Sequence, residues 1–180
     1  ETIYHAIWDS VADWYIEASK KDDNHPMLAY VLDTCLKLSH PFAPFVTETI
    51  WQTLSWHNDL LISSDWPTPV EYNDIAAAEF EQLQKLVSEI RFVASELPGN
   101  QKYGLLYQND SLIAENAELI QHLAKLKSVA QADQAKGLRL AATGREAWLD
   151  GDETTLYEHQ SNLEVRLAEA HAFVKTLEGR

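Results

Sequence analysis

The first 54 residues carry apolar side chains at helical spacing, cut twice by proline-containing breaks. That pattern leaves a bundle of short helices as the readiest way to bury them. Ile3, Ile7, Val11, Trp14 and Ala18 follow one another in steps of three and four, with Trp8 and Tyr15 alongside, and so line one face of a helix. Asp22-Asp23-Asn24-His25-Pro26 stops that helix and offers caps for the next. Leu28, Val31, Leu32, Cys35, Leu36 and Leu38 repeat the pattern up to His40-Pro41. A third helix is expected from Pro44, where proline is tolerated in the first turn, and it uses Val46, Ile50, Trp51 and Leu54. Three amphipathic helices with short joints predict an α-bundle. Trp14 and Trp51 fall on its apolar faces, and Phe42 and Phe45 are expected to plug it where the chain turns.

The rhythm changes after the bundle. Asn58, Asp59, Ser63, Ser64, Pro67 and Pro69 punctuate a crossing loop over 55–73. A long helix then runs from about Asp74 to Leu97, with Phe80, Leu83, Val87, Ile90, Ala94 and Leu97 on its buried face and Pro98-Gly99-Asn100 ending it. Gly104–Tyr107 and Leu138–Ala142 predict short strands, and Ser128–Gln131 a further one. Between them Ser111 is placed to cap a helix bearing Leu119, Ile120, Leu123 and Leu126. From Thr154 onward, Leu156, Leu163, Ala170 and Leu177 recur every seven residues, interleaved with Gln160, Leu167 and Val174. That is a heptad seam with one polar break, and a seam of this kind needs a partner helix. The expected organisation is therefore mainly α. A helical bundle over 1–72 is followed by a small α+β junction over 73–153, then by the first helix of a coiled-coil arm over 154–180. The chain opens inside an amphipathic pattern, as a piece of a longer protein would.

Charge and composition exclude several classes. Fourteen basic residues against 28 acidic ones leave a formal charge of −14, which argues against a simple basic nucleic-acid clamp or an anionic-membrane binder. One cysteine, Cys35, permits no internal disulfide and suits a reducing cytoplasm. The seven histidines include no pair three or four residues apart. There is no glycine-rich phosphate loop, nucleophile elbow or His-Glu-x-x-His helix, so neither a catalytic site nor a metal site is expected within the chain.

Three stretches resemble the anticodon-binding bundle of class I aminoacyl-tRNA synthetases of the valine, isoleucine and leucine group. Ile7 to Lys20, with its Asp13-Trp14-Tyr15-Ile16-Glu17 core, is similar to the family's D-W-Y-[IL]-E helix. His40-Pro41-Phe42-Ala43-Pro44-Phe45-Val46-Thr47-Glu48 resembles its H-P-[FM]-[MA]-P-F-[VIL]-T-E segment, and Trp66-Pro67 sits where the family has W-P. Order and separation match too. The likeness extends to Ile90–Glu96, which departs from the family's I-R-[NF]-x-R-x-E by placing Ala94 where an arginine is common. It extends also to Leu156–Leu177, similar to the first strand of a terminal coiled coil that turns back on itself. Here the chain stops at Glu178-Gly179-Arg180, as if before that return. The Asp-Trp-Tyr-Ile-Glu run, the terminal heptads and the lack of a cysteine zinc module favour the valine-specific branch over the isoleucine-specific one.

The resemblance implies recognition of a valine-accepting tRNA, with the catalytic part of the same parent chain as second partner and no DNA or membrane. The family's H-I-G-H and K-M-S-K-S motifs are absent. ATP and Mg would therefore be used elsewhere in the parent, with no cofactor in this segment. Trp8 and Tyr15, flanking the main apolar stripe, are the candidates for stacking on bases. Lys20 and Lys21 end the first helix and suit either its dipole or a phosphate. Arg91 and Lys102 flank the Pro98-Gly99 break, and Arg139 and Arg145 bracket the last predicted strand; all four are candidate contacts to the tRNA. The rival from another class is an acidic helical protein–protein scaffold that dimerises through its terminal heptads.

Overall fold

The computed structural model describes residues 1–21, 24–98, 101–134 and 136–178, with side chains through Lys175. The stops expected at Asp22-Asp23 and Gly99-Asn100, and the Gly179-Arg180 end, lie outside these residues. The chain divides into two compact units, Glu1–Tyr72 and Asn73–Arg180.

The first unit is all helix and loop. A continuous helical rod runs through α1 (Thr2–His5), a π-helical segment (Ala6–Tyr15) and α2 (Ile16–Ser19). The expected face is thus not regularly α-helical: the Ile16 amide, for one, donates to the Val11 carbonyl five residues back. The segment is dense in aromatic and β-branched residues, which crowd one another in the tighter α turn, and the wider turn relieves that crowding. α3 (His25–Ser39) starts at Asn24, whose side chain accepts the Met27 amide at 3.1 Å. α4 (Pro44–Leu54) begins on its proline and ends at Ser55, which takes a left-handed conformation at φ 54°. Leu36 on α3, Trp51 on α4 and Leu61 in a short 3₁₀ turn form the core, with Leu32 and Leu54 packed against it. Trp51 also donates its indole N–H to the Asp59 carbonyl at 2.9 Å, tying the crossing loop to α4.

Two expectations fail here. Phe42 and Phe45 do not plug the bundle; they are 78% and 88% exposed. The turn is held instead by polar groups. Buried Thr47 hydrogen-bonds His40 Nδ1 at 2.8 Å and donates to the Ala43 carbonyl at 2.9 Å, which leaves both phenyl rings outside. Trp14 is only half-buried, whereas Trp51 is 2% exposed.

The second unit is built on α5 (Asp74–Glu96), whose start is capped by Asn73 accepting the Ile75 and Ala76 amides. Leu83, Leu86, Val87 and Ile90 are buried along one face. Phe80 and Ala94 are only half-buried, and Leu86 joins the face unforeseen. Four short strands follow: β1 (Gly104–Tyr107), β2 (Ser128–Gln131), β3 (Leu138–Arg139) and β4 (Ala147–Asp150). They form one sheet in the order β2-β1-β4-β3. β1 runs parallel to β2 and antiparallel to β4, and β3 is antiparallel to β4. A parallel pair needs a crossover, here supplied by α6 (Ser111–Glu115) and α7 (Ala117–Leu123).

The expected single helix is broken at Asn116 and ends before Leu126, and its cap is Asp110 rather than Ser111: the Asp110 carboxylate accepts the Ile113 amide at 3.1 Å. The last predicted strand shortens to two residues because its continuation bends away. There Glu89 of α5 accepts the Ala142 and Thr143 amides and the Thr143 hydroxyl. α8 (Glu153–Glu178) is anchored near its start, where Thr155 and His159 are buried. Arg166 pairs with Glu96 farther along. Among the described residues no helix is long and apolar enough to cross a membrane.

Candidate nucleic-acid interface

In the first unit, the wider turn of the rod brings Tyr4 and Trp8 into a near-parallel stack, 6.2 Å between centroids and 8° between planes. They are 61% and 59% exposed. His5 packs edge-on against Tyr4 and hydrogen-bonds Asp9 at 2.7 Å, bracing the outer turn. Ile3, Tyr4, Ile7, Trp8, Phe42 and Ala43 line an apolar cleft of about 480 Å³ between the rod and the α3–α4 joint. An open slot walled by flat rings suits a planar, unstacked base.

Tyr15, half-buried, closes the π segment, and Lys20 and Lys21 follow on the exposed end of the rod. Lys20 is ion-paired with Glu17, while the Lys21 ammonium group has no partner among the described residues. Trp8 and Lys20 are twelve residues apart on one rod, on the order of 15 Å. They therefore lie on two separate candidate surfaces, with Tyr15 belonging to the lysine end.

The basic candidates of the second unit divide by what they already hold. The Arg91 Nε and Nη2 groups both donate to the Leu123 carbonyl, at 3.0 and 2.8 Å, capping the C-terminus of α7. Arg145 pairs with Asp110, and its Nη2 donates to Gln82 at 2.7 Å. Both guanidinium groups are thus bound within the protein. Arg139 on edge strand β3 and Lys102 just before β1 are exposed, and their side chains have no partner among the described residues. Sequence reasoning missed the partners of these residues. Tyr4 was legible in principle, being four residues before Trp8 on one helix. Phe42 reaches the same cleft only through the fold.

Two ionisable groups are displaced from their ordinary range. Burial pushes the Cys35 thiol up, so it stays neutral. The Asp152 carboxyl is held low, first by the Thr155 amide at 2.7 Å, then by the Thr155 hydroxyl and Gln101. Among the described residues no group of three or more His, Cys, Asp or Glu side chains is placed to hold a metal ion.

Residues 1–104 match the family described as the anticodon-binding domain of tRNA ligase, and the chain belongs to that family. The similar curated proteins include the valine–tRNA ligase of Petrotoga mobilis, 38% identical over 73% of this chain and 17% of that protein. The valine–tRNA ligase of Agrobacterium fabrum is 33% identical over 84% of this chain and 18% of its own length. That of Streptomyces avermitilis is 33% identical over 83% and 18%. The chain thus spans less than a fifth of the length of these relatives.

Proposed function

We propose that this chain is the anticodon-recognition region of a valine–tRNA ligase. Its partners are then a valine-accepting tRNA and the catalytic part of the same cytoplasmic parent chain, where ATP and Mg serve the ligation. The observation that carries this reading is the family match over residues 1–104 beside relatives that are valine–tRNA ligases. The geometry supports it. The Tyr4–Trp8 stack offers a flat surface to an unstacked anticodon base, and Tyr15 with Lys20 and Lys21 offers a ring and two cations to a base and its phosphate. Lys102 and Arg139 touch the tRNA body from the second unit. Arg91 and Arg145 act at one remove, by holding α7 and α6 in place.

On this reading α8 is the first strand of a coiled-coil arm bracing the tRNA. The exposed Leu163, Leu167 and Val174 of its seam support that role. The same exposed seam favours a second reading, an acidic scaffold that dimerises through α8. Helicity that rises with protein concentration and is lost on deleting residues 156–180 would select it.

The direct test is a low-salt titration of the chain with valine tRNA and with the same tRNA carrying a changed anticodon. Preference for the native anticodon, weakened by Lys20→Glu with Lys21→Glu at unchanged circular dichroism, is the expected result. Preference for an isoleucine or leucine anticodon would move the chain to a sister enzyme. Equal binding to all would remove anticodon reading from it.

A further inference from the structure

We infer that one edge of the sheet, where Lys102, Lys127 and Lys136 converge, is a second RNA contact that grips consecutive backbone phosphates, on the footing that the chain binds tRNA as proposed above.

The convergence comes from topology. β1 and β2 are parallel, β4 opposes both neighbours, and β3 opposes β4, so the starts of β1, β2 and β3 and the end of β4 meet at one edge. Each of the three starting strands is preceded within two residues by a lysine. All three line a polar cleft of about 370 Å³ with Ser128, Asp150 and Asp152. Two glycines shape it. A Cβ on Gly104 would meet Ser128 Oγ at 3.0 Å. Gly137, at φ +103°, lies so close to β4 that a Cβ would fall 2.1 Å from the Leu149 carbonyl. Gly137 thereby seats Lys136 beside the end of β4.

These lysines differ from five other cations of the chain, which are engaged within the protein. Lys20, Lys37, Arg145 and Arg166 sit in ion pairs, and Arg91 caps α7. Lys102, Lys127 and Lys136 are exposed, and none of their ammonium groups has a partner among the described residues. In a chain with twice as many acids as bases, three unpaired cations in one cleft are not a solvated face of average composition.

The arrangement across the edge selects the ligand. In sheet order it reads Lys127, Lys102, then the carboxylates after β4, then Lys136. The outer strands are three strand intervals apart, roughly 14 Å. A single small anion would face Asp150 as well as the lysines. A ribose-phosphate backbone instead sets its charges apart, and its 2′-hydroxyls donate to carboxylates. Asp152 is occupied by the start of α8, which leaves Asp150 as that acceptor.

The experiment is a salt-dependent titration of the 180-residue chain with valine tRNA, unsubstituted and with Lys102→Gln, Lys127→Gln and Lys136→Gln combined. A companion measurement reads lysine acetylation with and without tRNA. The triple variant should bind on the order of tenfold more weakly at low salt. The slope of log affinity against log salt should shrink by about 2, at roughly 0.7 to 0.9 per lost phosphate contact. The three lysines should be protected by tRNA, and circular dichroism should be unchanged. Unaltered affinity and slope, or full acetylation in the complex, overturns the inference. Anticodon preference without lysine dependence leaves the anticodon reading standing and removes this one. Lysine dependence without anticodon preference does the reverse, and no binding at low salt overturns both. Competition by inorganic phosphate well beyond that of chloride at the same ionic strength would show that the cleft takes a lone phosphate, which also overturns it.

Discussion

The two units treat their apolar residues in opposite ways. The first fully buries only Leu36, Trp51 and Leu61 among its described apolar side chains, and leaves Tyr4, Trp8, Phe42, Phe45, Trp56 and Trp66 largely in water. The second buries a set running from Leu83 on α5 through Leu105, Ile113, Ile120 and Leu140 to Leu149 on β4. Exposed aromatic surface on that scale is what the proposed binding face would use, whereas a closed sheet-on-helix core makes a platform. The exposed rings thus leave the bundle a thin core, whereas the sheet unit carries charges at its rim around a core that stays shut.

The sharpest way to break this contrast is to remove the residue that most holds the thin core. Trp51→Ala takes away a buried ring and its bond to Asp59, and should cost about 3–5 kcal/mol. Denaturant unfolding followed by near-ultraviolet circular dichroism should then show the first unit melting well before the second. A single unshifted transition would contradict the thin-core account.

Arg91→Ala probes the second unit in the same spirit. Its two bonds to Leu123 predict a loss of roughly 1–3 kcal/mol in the stability of that unit. An RNA-contacting arginine with no structural duty would leave the unfolding midpoint where it was.

On the binding face the expectation reverses. Trp8→Ala should change stability by less than about 1 kcal/mol while weakening tRNA binding by roughly 1–3 kcal/mol, the value of one base stacked on a ring. A large loss of stability with unchanged binding would place Trp8 with Trp51 instead.

The smallest effect concerns Asp152 at the head of α8. Its folded carboxyl is held below the ordinary 3.8, so its help to the helix start is present above that pH and fades as pH falls through the lowered value. The protection of the Thr155 amide against exchange, taken relative to the intrinsic rate at each pH, should therefore fall in acid, and Asp152→Asn should flatten that dependence. A pH-independent rate ratio between the two proteins would remove the cap.

Much of this organisation was legible from neighbouring residues. Prolines 26 and 44 mark the first turns of α3 and α4, and Leu83, Val87 and Ile90 give the buried face of α5. The site was legible in part. Trp8, Lys21, Lys102 and Arg139 emerge exposed, while Arg91 and Arg145, alike in type, are turned inward by Leu123 and Asp110, partners 32 and 35 residues away. β4 escaped notice because Ala147-Trp148-Leu149-Asp150 carries no β-branched residue and includes Ala and Asp, which are depleted in strands. It is a strand by virtue of β1 and β3 on either side.

By itself the sequence determined what interactions of three or four residues' reach can determine: helix faces, their caps and breaks, and the family likeness carried by those local runs. Tertiary structure alone decided which aromatic rings stay outside the bundle, which arginines are consumed as caps, and which lysines share an edge. These depend on contacts between residues far apart in the chain. Their geometry exists only once the loops between them have closed, and no local spacing records it.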